Sequence, residues 1–188
     1  MKNKFRDMCI VLVLFIPVLF CLSCESDTDN TGKSLNQEDL DNYVAFAYSR
    51  AFWFIWNQNI AGTSTGAKDF TASGSVGGSV HVTGSAGVDG NGINTFDLSF
   101  AMTDYANSTE DTSVAFTGTV NCKGSFKNEG GGDDYTTIAH TSEHISYSGR
   151  VDTDDTDTKV EDSGYLGISE TANDLSGTIC GRDFGYSF

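Results

Sequence analysis

Apolar residues recur along this chain with two different periods, one helical and one of two residues. Between Ser34 and Gly62 an apolar stripe repeats every three or four positions, and aromatic residues fill the other sides of the segment. A helix that is apolar nearly all round is a buried helix, so the pattern predicts one buried helix of about 25 residues. The stripe consists of Leu40, Val44, Ala47, Ala51 and Ile55, and the aromatic residues are Tyr43, Phe46, Trp53, Phe54 and Trp56.

Polar residues mark both ends of this helix. Ser34-Leu35-Asn36-Gln37 fits a capping box, and the acidic residues that follow it favour the positive end of a helix dipole. The residues from Asn59 to Gly62 supply a stop signal. Arg50 and the polar end interrupt the segment, which argues against a membrane span.

Beyond Gly62 apolar and polar positions alternate, which is the period of a strand with one buried face. The even positions from Val114 to Phe126 are apolar or glycine, whereas the odd ones are polar or small. The same phase holds for the even positions of 96–102, which are all apolar, and for Val76, Val80 and Val82. Turn signals occur at 89–92 and 130–133, and further strands are predicted at 135–139, 145–151, 159–169 and 175–188.

Glycines within these runs predict a strongly curved sheet. Residues 78–84 and 118–124 share the pattern G-[ST]-V-x-[VC]-x-G, and glycine inside a strand marks a bend, a bulge or a close backbone approach. The apolar concave face would wrap the helix, whereas a closed barrel of eight strands has room only for its own side chains. We therefore predict an α+β fold, mainly β, in which a curved antiparallel sheet of seven or eight strands, open or partly closed, packs on one long N-terminal helix.

The first 24 residues have the organisation of an export signal. Three cationic residues within the first six positions precede an apolar stretch from Cys9 to Leu22, and Ser23 and Cys24 follow it. The fourteen apolar residues would reach about 21 Å as a helix, short of the roughly 30 Å hydrocarbon core. The segment is predicted to be a signal peptide and not a membrane span.

Leu22-Ser23-Cys24 resembles the lipobox of a bacterial lipoprotein, and this resemblance covers the first 24 residues alone. It implies that Cys24 receives diacylglycerol, becomes the mature N-terminus and holds the protein to a membrane of the cell envelope, which we expect to be the outer membrane, on its periplasmic or its surface face. The chain then divides into a signal peptide (1–23), an acidic flexible tether (24–33) and one helix-plus-sheet domain (34–188).

The charge balance excludes one class of partner. The 188 residues include 11 Lys and Arg against 26 Asp and Glu, a net charge of −15. Cleavage before Cys24 leaves 8 basic and 25 acidic side chains, or −17. Nucleic-acid binding needs clustered cations, so no nucleic-acid partner is expected. The sequence identifies no protein or small-molecule partner.

The cysteine count predicts one disulfide. Two of the five cysteines leave with the signal peptide and Cys24 carries lipid, which leaves Cys122 and Cys180 in an exported chain. Two separate buried thiols are the alternative. These two cysteines form no zinc-type spacing such as C-x-x-C.

Two segments invite a metal interpretation. His140-Thr-Ser-Glu143-His144 matches the H-x-x-E-H pattern of zinc peptidases, which requires a helix. Its flanks predict a strand, on which the two histidines would lie about 13 Å apart, so we expect exposed strand histidines. The acidic run from Asp152 to Asp162 lacks the EF-hand spacing, which favours a solvated acidic loop over weak calcium binding.

These observations predict a lipid-anchored envelope protein that is a non-catalytic structural, adhesive or ligand-binding module, and they predict no cofactor. One alternative is an envelope zinc hydrolase that uses His140, Glu143 and His144. Another is a small outer-membrane β-barrel, because Phe184, Tyr186 and Phe188 alternate up to the carboxylate.

Overall fold

The computed structural model describes residues 35–108, 112–129, 132–153 and 156–187. Within these residues the chain forms one helix and one antiparallel sheet of eight strands. The predicted signal peptide, the predicted lipid-attachment residue Cys24 and the predicted tether lie outside the described residues.

Helix α1 runs from Gln37 to Ile55 and continues as a π-helical segment, Trp56–Ile60. Asn36 is the N-cap: its side chain accepts a hydrogen bond from the Asp39 N–H at 2.9 Å, and the Asp39 carboxylate accepts one from the Asn36 N–H at 3.4 Å. The helix and its stop are confirmed, but the capping box begins at Asn36 and not at Ser34. Asn36 and Asp39 bind each other's backbone N–H groups, which are the two groups that a capping box satisfies.

The eight strands follow the helix as a meander in which each strand pairs with its neighbours in the chain. The sheet is open, with β1 and β8 at its two edges. This confirms the predicted fold class. The strands are β1 (Gly66–Ser73), β2 (Gly77–Val88), β3 (Ile93–Ser108), β4 (Thr112–Glu129), β5 (Gly132–Thr153), β6 (Thr156–Glu170), β7 (Asp174–Ile179) and β8 (Arg182–Ser187).

The strands differ from the prediction in three places. The first is β1, which no predicted segment covers. The segments 135–139 and 145–151 belong to a single strand, β5, because a bulge between Ser142 and Ile145 changes the register without ending the pairing. The segment 175–188 is two strands, because Cys180 and Gly181 adopt φ values of 50° and 80° and form a tight turn between β7 and β8.

The predicted alternation sets which face of the sheet is buried. On β4 the apolar residues of the even positions are all buried, and so are the residues at the even positions from 96 to 102 on β3. Val80 and Val82 are buried too, but Val76 lies before β2 and is 56% exposed, so the predicted phase does not extend to it. The buried even positions of β4 are Val114, Phe116, Val120, Cys122 and Phe126.

The sheet curves around the helix, which contacts β3, β4, β5, β7 and β8. In-strand glycines allow neighbouring strands to approach closely. A Cβ on Gly78, whose φ is +68°, would lie 2.0 Å from the Asp104 carbonyl oxygen, and one on Gly118 would lie 2.7 Å from that of His144. Among the described residues, no helix combines the length and the apolar character that crossing a membrane requires.

Candidate functional site

A group of polar side chains lies inside the apolar core, between the helix and three adjacent strands. We name it the core polar cluster. All of its members are buried except Trp53, which is partly buried. The members are Tyr48, Ser49 and Trp53 of α1, Cys122 of β4, His140 of β5 and Glu170 of β6.

The sheet register brings the three strand residues together. Cys122 and His140 are direct partners across β4 and β5. His140 is paired in turn with Ile168 of β6, two residues before Glu170, and residues two apart share a face of a strand. The helix then presents Tyr48 and Ser49 to this row.

Three atoms of the cluster form a nearly equilateral triangle. The Tyr48 hydroxyl lies 3.3 Å from Cys122 Sγ and 3.3 Å from His140 Nδ1, and Nδ1 lies 3.2 Å from the same sulfur. The Tyr48 and Phe52 rings meet the imidazole edge-on, with centroids 5.3 and 5.0 Å away. Two aromatic rings of α1 therefore pack against the imidazole.

Glu170 closes the other end of the cluster. Its Oε1 accepts a hydrogen bond from the Trp53 indole at 2.6 Å, and its Oε2 accepts one from the Ser49 hydroxyl at 3.0 Å. His140 Nε2 lies 3.4 Å from Oε2, within ion-pair range but without hydrogen-bond alignment. Burial raises the pKa of Glu170, yet its interactions with His140, Trp53 and Ser49 outweigh burial, so the pKa lies below its ordinary value. The carboxylate is ionised in the core.

The order thiol, imidazole, carboxylate resembles the triad of cysteine hydrolases, but its chemistry differs. A nucleophilic cysteine needs a lowered pKa and access to substrate. Burial raises the pKa of Cys122 to about 12, and both Cys122 and His140 are 0% exposed. The arrangement favours a structural role over nucleophilic chemistry.

The residues of the H-x-x-E-H segment are not brought together. They lie on β5, as the predicted strand requires. His140 is buried, whereas Glu143 and His144 are exposed and lie within the bulge between Ser142 and Ile145. Our expectation of exposed histidines is therefore correct for His144 and wrong for His140. In the part of the chain that the structure describes, no group of three or more His, Cys, Asp or Glu side chains is suited to hold a metal ion.

The predicted disulfide is wrong, because Cys122 and Cys180 are free thiols in the structure. Cys122 lies on β4 and Cys180 at the turn after β7, three strand spacings apart. That separation is about 14 Å along the sheet, whereas a disulfide requires Cα atoms within about 7 Å. Burial raises the pKa of Cys180 to about 11.

Thiol labelling tests this assignment. In the folded protein we expect an alkylating reagent to modify the half-buried Cys180 at least about tenfold faster than the fully buried Cys122, since access and thiolate fraction set the rate. Mass spectrometry of timed samples measures both rates, and Cys180→Ala should remove the fast phase. Two results together would show a disulfide instead: an intact mass lower by two hydrogen atoms, and cysteines that are not alkylated in denaturant unless a reductant is added.

The acidic run is part of a β-hairpin, which corrects the prediction of a loop. Thr153 of β5 pairs with Thr156 of β6, while 154–155 lie outside the described residues. Three carboxylates of the run have cationic partners. Asp157 binds Arg150 through two oxygens, Glu161 binds Lys159 at 2.6 Å, and Asp162 binds Arg182 at 2.6 Å. These three carboxylates are therefore engaged by side chains of the same sheet.

A second polar group, centred on Arg182, joins the start of β8 to the helix. The guanidinium donates to both oxygens of the buried Asp41, at 2.7 and 2.9 Å. It also donates to Asp162 at 2.6 Å and to the Tyr147 hydroxyl at 3.1 Å. Arg182 holds the pKa of Asp162 below its usual range. We name these four residues the Arg182 cluster.

Sequence reasoning missed most of these residues, although weak signals were present. Asp41 and Ser49 are polar positions in an apolar helix, and Glu170 falls on the buried phase of β6. Each of these positions predicts that a polar side chain is buried, but it does not predict which residue binds that side chain. No family model, curated protein or solved structure matches the chain.

Proposed function

We propose that this chain is a lipid-anchored protein of the bacterial cell envelope and that its folded domain is a non-catalytic structural or adhesive module acting through its outer surface. The observation that carries the proposal is that α1 fills the concave face of the sheet. Val44, Tyr48, Phe52 and Ile55 are at most 1% exposed in that position. A curved sheet that carried a ligand would keep this space open.

The chemistry of the core polar cluster supports a non-catalytic role. Burial raises the pKa of the Cys122 thiol to about 12. Cys122, His140 and Glu170 are all buried, so a substrate has no access to them. The cluster instead attaches the helix to three strands through buried hydrogen bonds, which specify one arrangement of the core.

The outward face of the sheet supports a surface role. Its exposed positions on β3 and β4 are mainly Thr, Ser, Asp, Asn and Lys. Large apolar side chains are exposed only singly among the described residues, at Phe54, Val76, Val88, Tyr165 and Tyr186. With a net charge of −17 after cleavage, the domain should repel anionic surfaces and favour cationic ones.

The anchor is tested with the full chain expressed in a bacterium. We expect wild-type protein in the membrane fraction with an acylated Cys24 as its first residue, and Cys24→Ser protein in the aqueous fraction without lipid. Cys180→Ala is the matched control and should remain acylated. Intact-mass analysis and detergent partitioning measure the two properties. Unmodified wild-type protein in the aqueous fraction would overturn the proposal.

A further inference from the structure

A crevice lies where the π-helical segment meets the start of β1 and the hairpin of β2 and β3. Its volume is about 120 Å³. β2 runs on to Val88 although its pairing with β1 ends at Ala86, and this stagger leaves room beside Trp56 and Ile60. No residue of α1 itself lines the crevice, so it is separate from the concave space that α1 fills.

The lining of the crevice is unusual in a chain with 26 acidic and 11 basic residues. None of the nine described residues that line it carries a carboxylate, whereas one of them is a lysine. The lining combines an apolar wall with three side chains that can donate hydrogen bonds. The wall is formed by Ile60, Ala86 and Val88, and the donors are Trp56, Lys68 and Asn94.

The indole N–H of Trp56 is the group that points to a ligand. Trp56 is 3% exposed, and a tryptophan buried to this extent normally places its N–H in a hydrogen bond. Trp53, three residues earlier, donates to Glu170 at 2.6 Å. The Trp56 N–H has no acceptor in the part of the chain that the structure describes, yet it is not sealed from solvent. An acceptor in the crevice would satisfy it.

Lys68 supplies the positive charge. Its ammonium group donates to the Thr63 hydroxyl at 2.8 Å and to the Ser64 carbonyl oxygen at 2.6 Å. An ammonium group has three donors, so one remains for a ligand. Carbonyl groups at a helix end oppose an anion, but the Ile60 carbonyl oxygen already accepts from the N–H and the hydroxyl of Thr63, at 3.0 and 2.6 Å.

The volume limits the size of the ligand. A protein cavity of about 150 Å³ holds benzene, which has six heavy atoms, so a crevice of this size suits about five or six. Two of these atoms are the oxygens of a carboxylate, which matches the donors. The remaining three or four are carbon atoms that contact the apolar wall.

We propose that this crevice binds a short-chain carboxylate of about three or four carbons, of the size of propionate or butyrate. The Lys68 ammonium group and the Trp56 N–H donate to the carboxylate oxygens, and Asn94 lies within the same lining. The alkyl chain packs against the apolar wall. This binding activity goes beyond the surface role proposed above and does not depend on the lipid anchor.

Nuclear magnetic resonance of the purified full-length protein in detergent tests the proposal. The chain has two tryptophans, and isotope labelling of nitrogen gives one indole signal for each. Titration with sodium butyrate should shift the Trp56 signal saturably, with a dissociation constant in the millimolar range that suits so small a ligand. The Trp53 signal should change little, because its N–H is bound to Glu170. Sodium chloride at equal concentration controls for ionic strength.

The charge of the ligand and the identity of its partner have separate controls. Butanol has the same alkyl length without the carboxylate, and it should bind at least about tenfold more weakly because a hydrogen bond to a charged group is lost. Lys68→Gln should weaken butyrate binding to a similar extent. Lys123→Gln, at an exposed lysine that pairs with Asp97, should leave it unchanged.

Three results would overturn the proposal. The first is a Trp56 signal that does not shift saturably at tens of millimolar butyrate, and the second is equal binding of butanol and butyrate. The third is a folded Lys68→Gln protein that binds butyrate as well as wild type does. The same spectra show whether each variant is folded, and if Lys68→Gln is not, the comparison of butyrate with butanol in wild type decides alone.

Discussion

Replacing Phe52 by alanine is expected to lower the free energy of unfolding by about 4 kcal/mol, because an aromatic side chain deleted from a packed core loses its transfer energy and leaves a cavity. Phe52 is 1% exposed. Its ring contacts five others at centroid distances between 5.0 and 6.2 Å. Urea unfolding followed by far-UV circular dichroism measures the loss. The five rings are those of Trp53, Trp56, Phe96, Phe100 and His140.

Phe54 supplies the matched control, two residues further along the same helix. It is 38% exposed, so Phe54→Ala should change the free energy of unfolding by no more than about 0.5 kcal/mol. Equal losses in the two variants would contradict the orientation of the helix against the sheet. They would also remove the main support for a filled concave face.

The sequence predicts the architecture because periodicity reports burial directly. Alternation on β4 places Val114, Phe116 and Cys122 on the buried face, and the structure agrees. The switch from helical spacing to a period of two locates the end of the helix. The alternation and the change of period are both local patterns, so they can be recognised without knowledge of the tertiary contacts.

Alternation does not predict where the register between two strands changes. Perfect alternation through 140–145 would place Ile145 on the face opposite His140, yet both are buried, because the bulge after Ser142 inserts residues into β5. Nothing in the local composition marks that bulge. The same irregularity explains why two predicted strands are one.

Polar clusters are harder still to predict, because their partners are distant in the chain. Ser49 and Glu170 are separated by 121 residues, and Asp41 and Arg182 by 141. A polar residue on a buried phase predicts that some partner exists. The identity of the partner depends on which strands the helix crosses, and alternation does not determine that.

Replacing Arg182 by methionine is expected to lower the free energy of unfolding by about 3 kcal/mol, since removing one partner of a buried ion pair leaves the other charge uncompensated. The Asp41 side chain is 2% exposed, whereas Arg182 is 33% exposed, which places the expected loss at the lower end of the usual range. Only Gln37, which donates to Asp41 at 3.0 Å, would still bind the carboxylate among the contacts described. Urea unfolding at neutral pH measures the change.

Arg150 is the matched control, because it also binds an aspartate through two oxygens but does so in solvent. The Arg150 and Asp157 side chains are 56% and 51% exposed, and solvent-exposed ion pairs contribute little to stability, so Arg150→Met should lower the free energy of unfolding much less than Arg182→Met. The double variant Asp41→Asn with Arg182→Met should be more stable than Arg182→Met alone, because it carries no unpaired buried charge. A loss at Arg182 no greater than that at Arg150 would show that the Arg182 cluster does not hold the helix to β8.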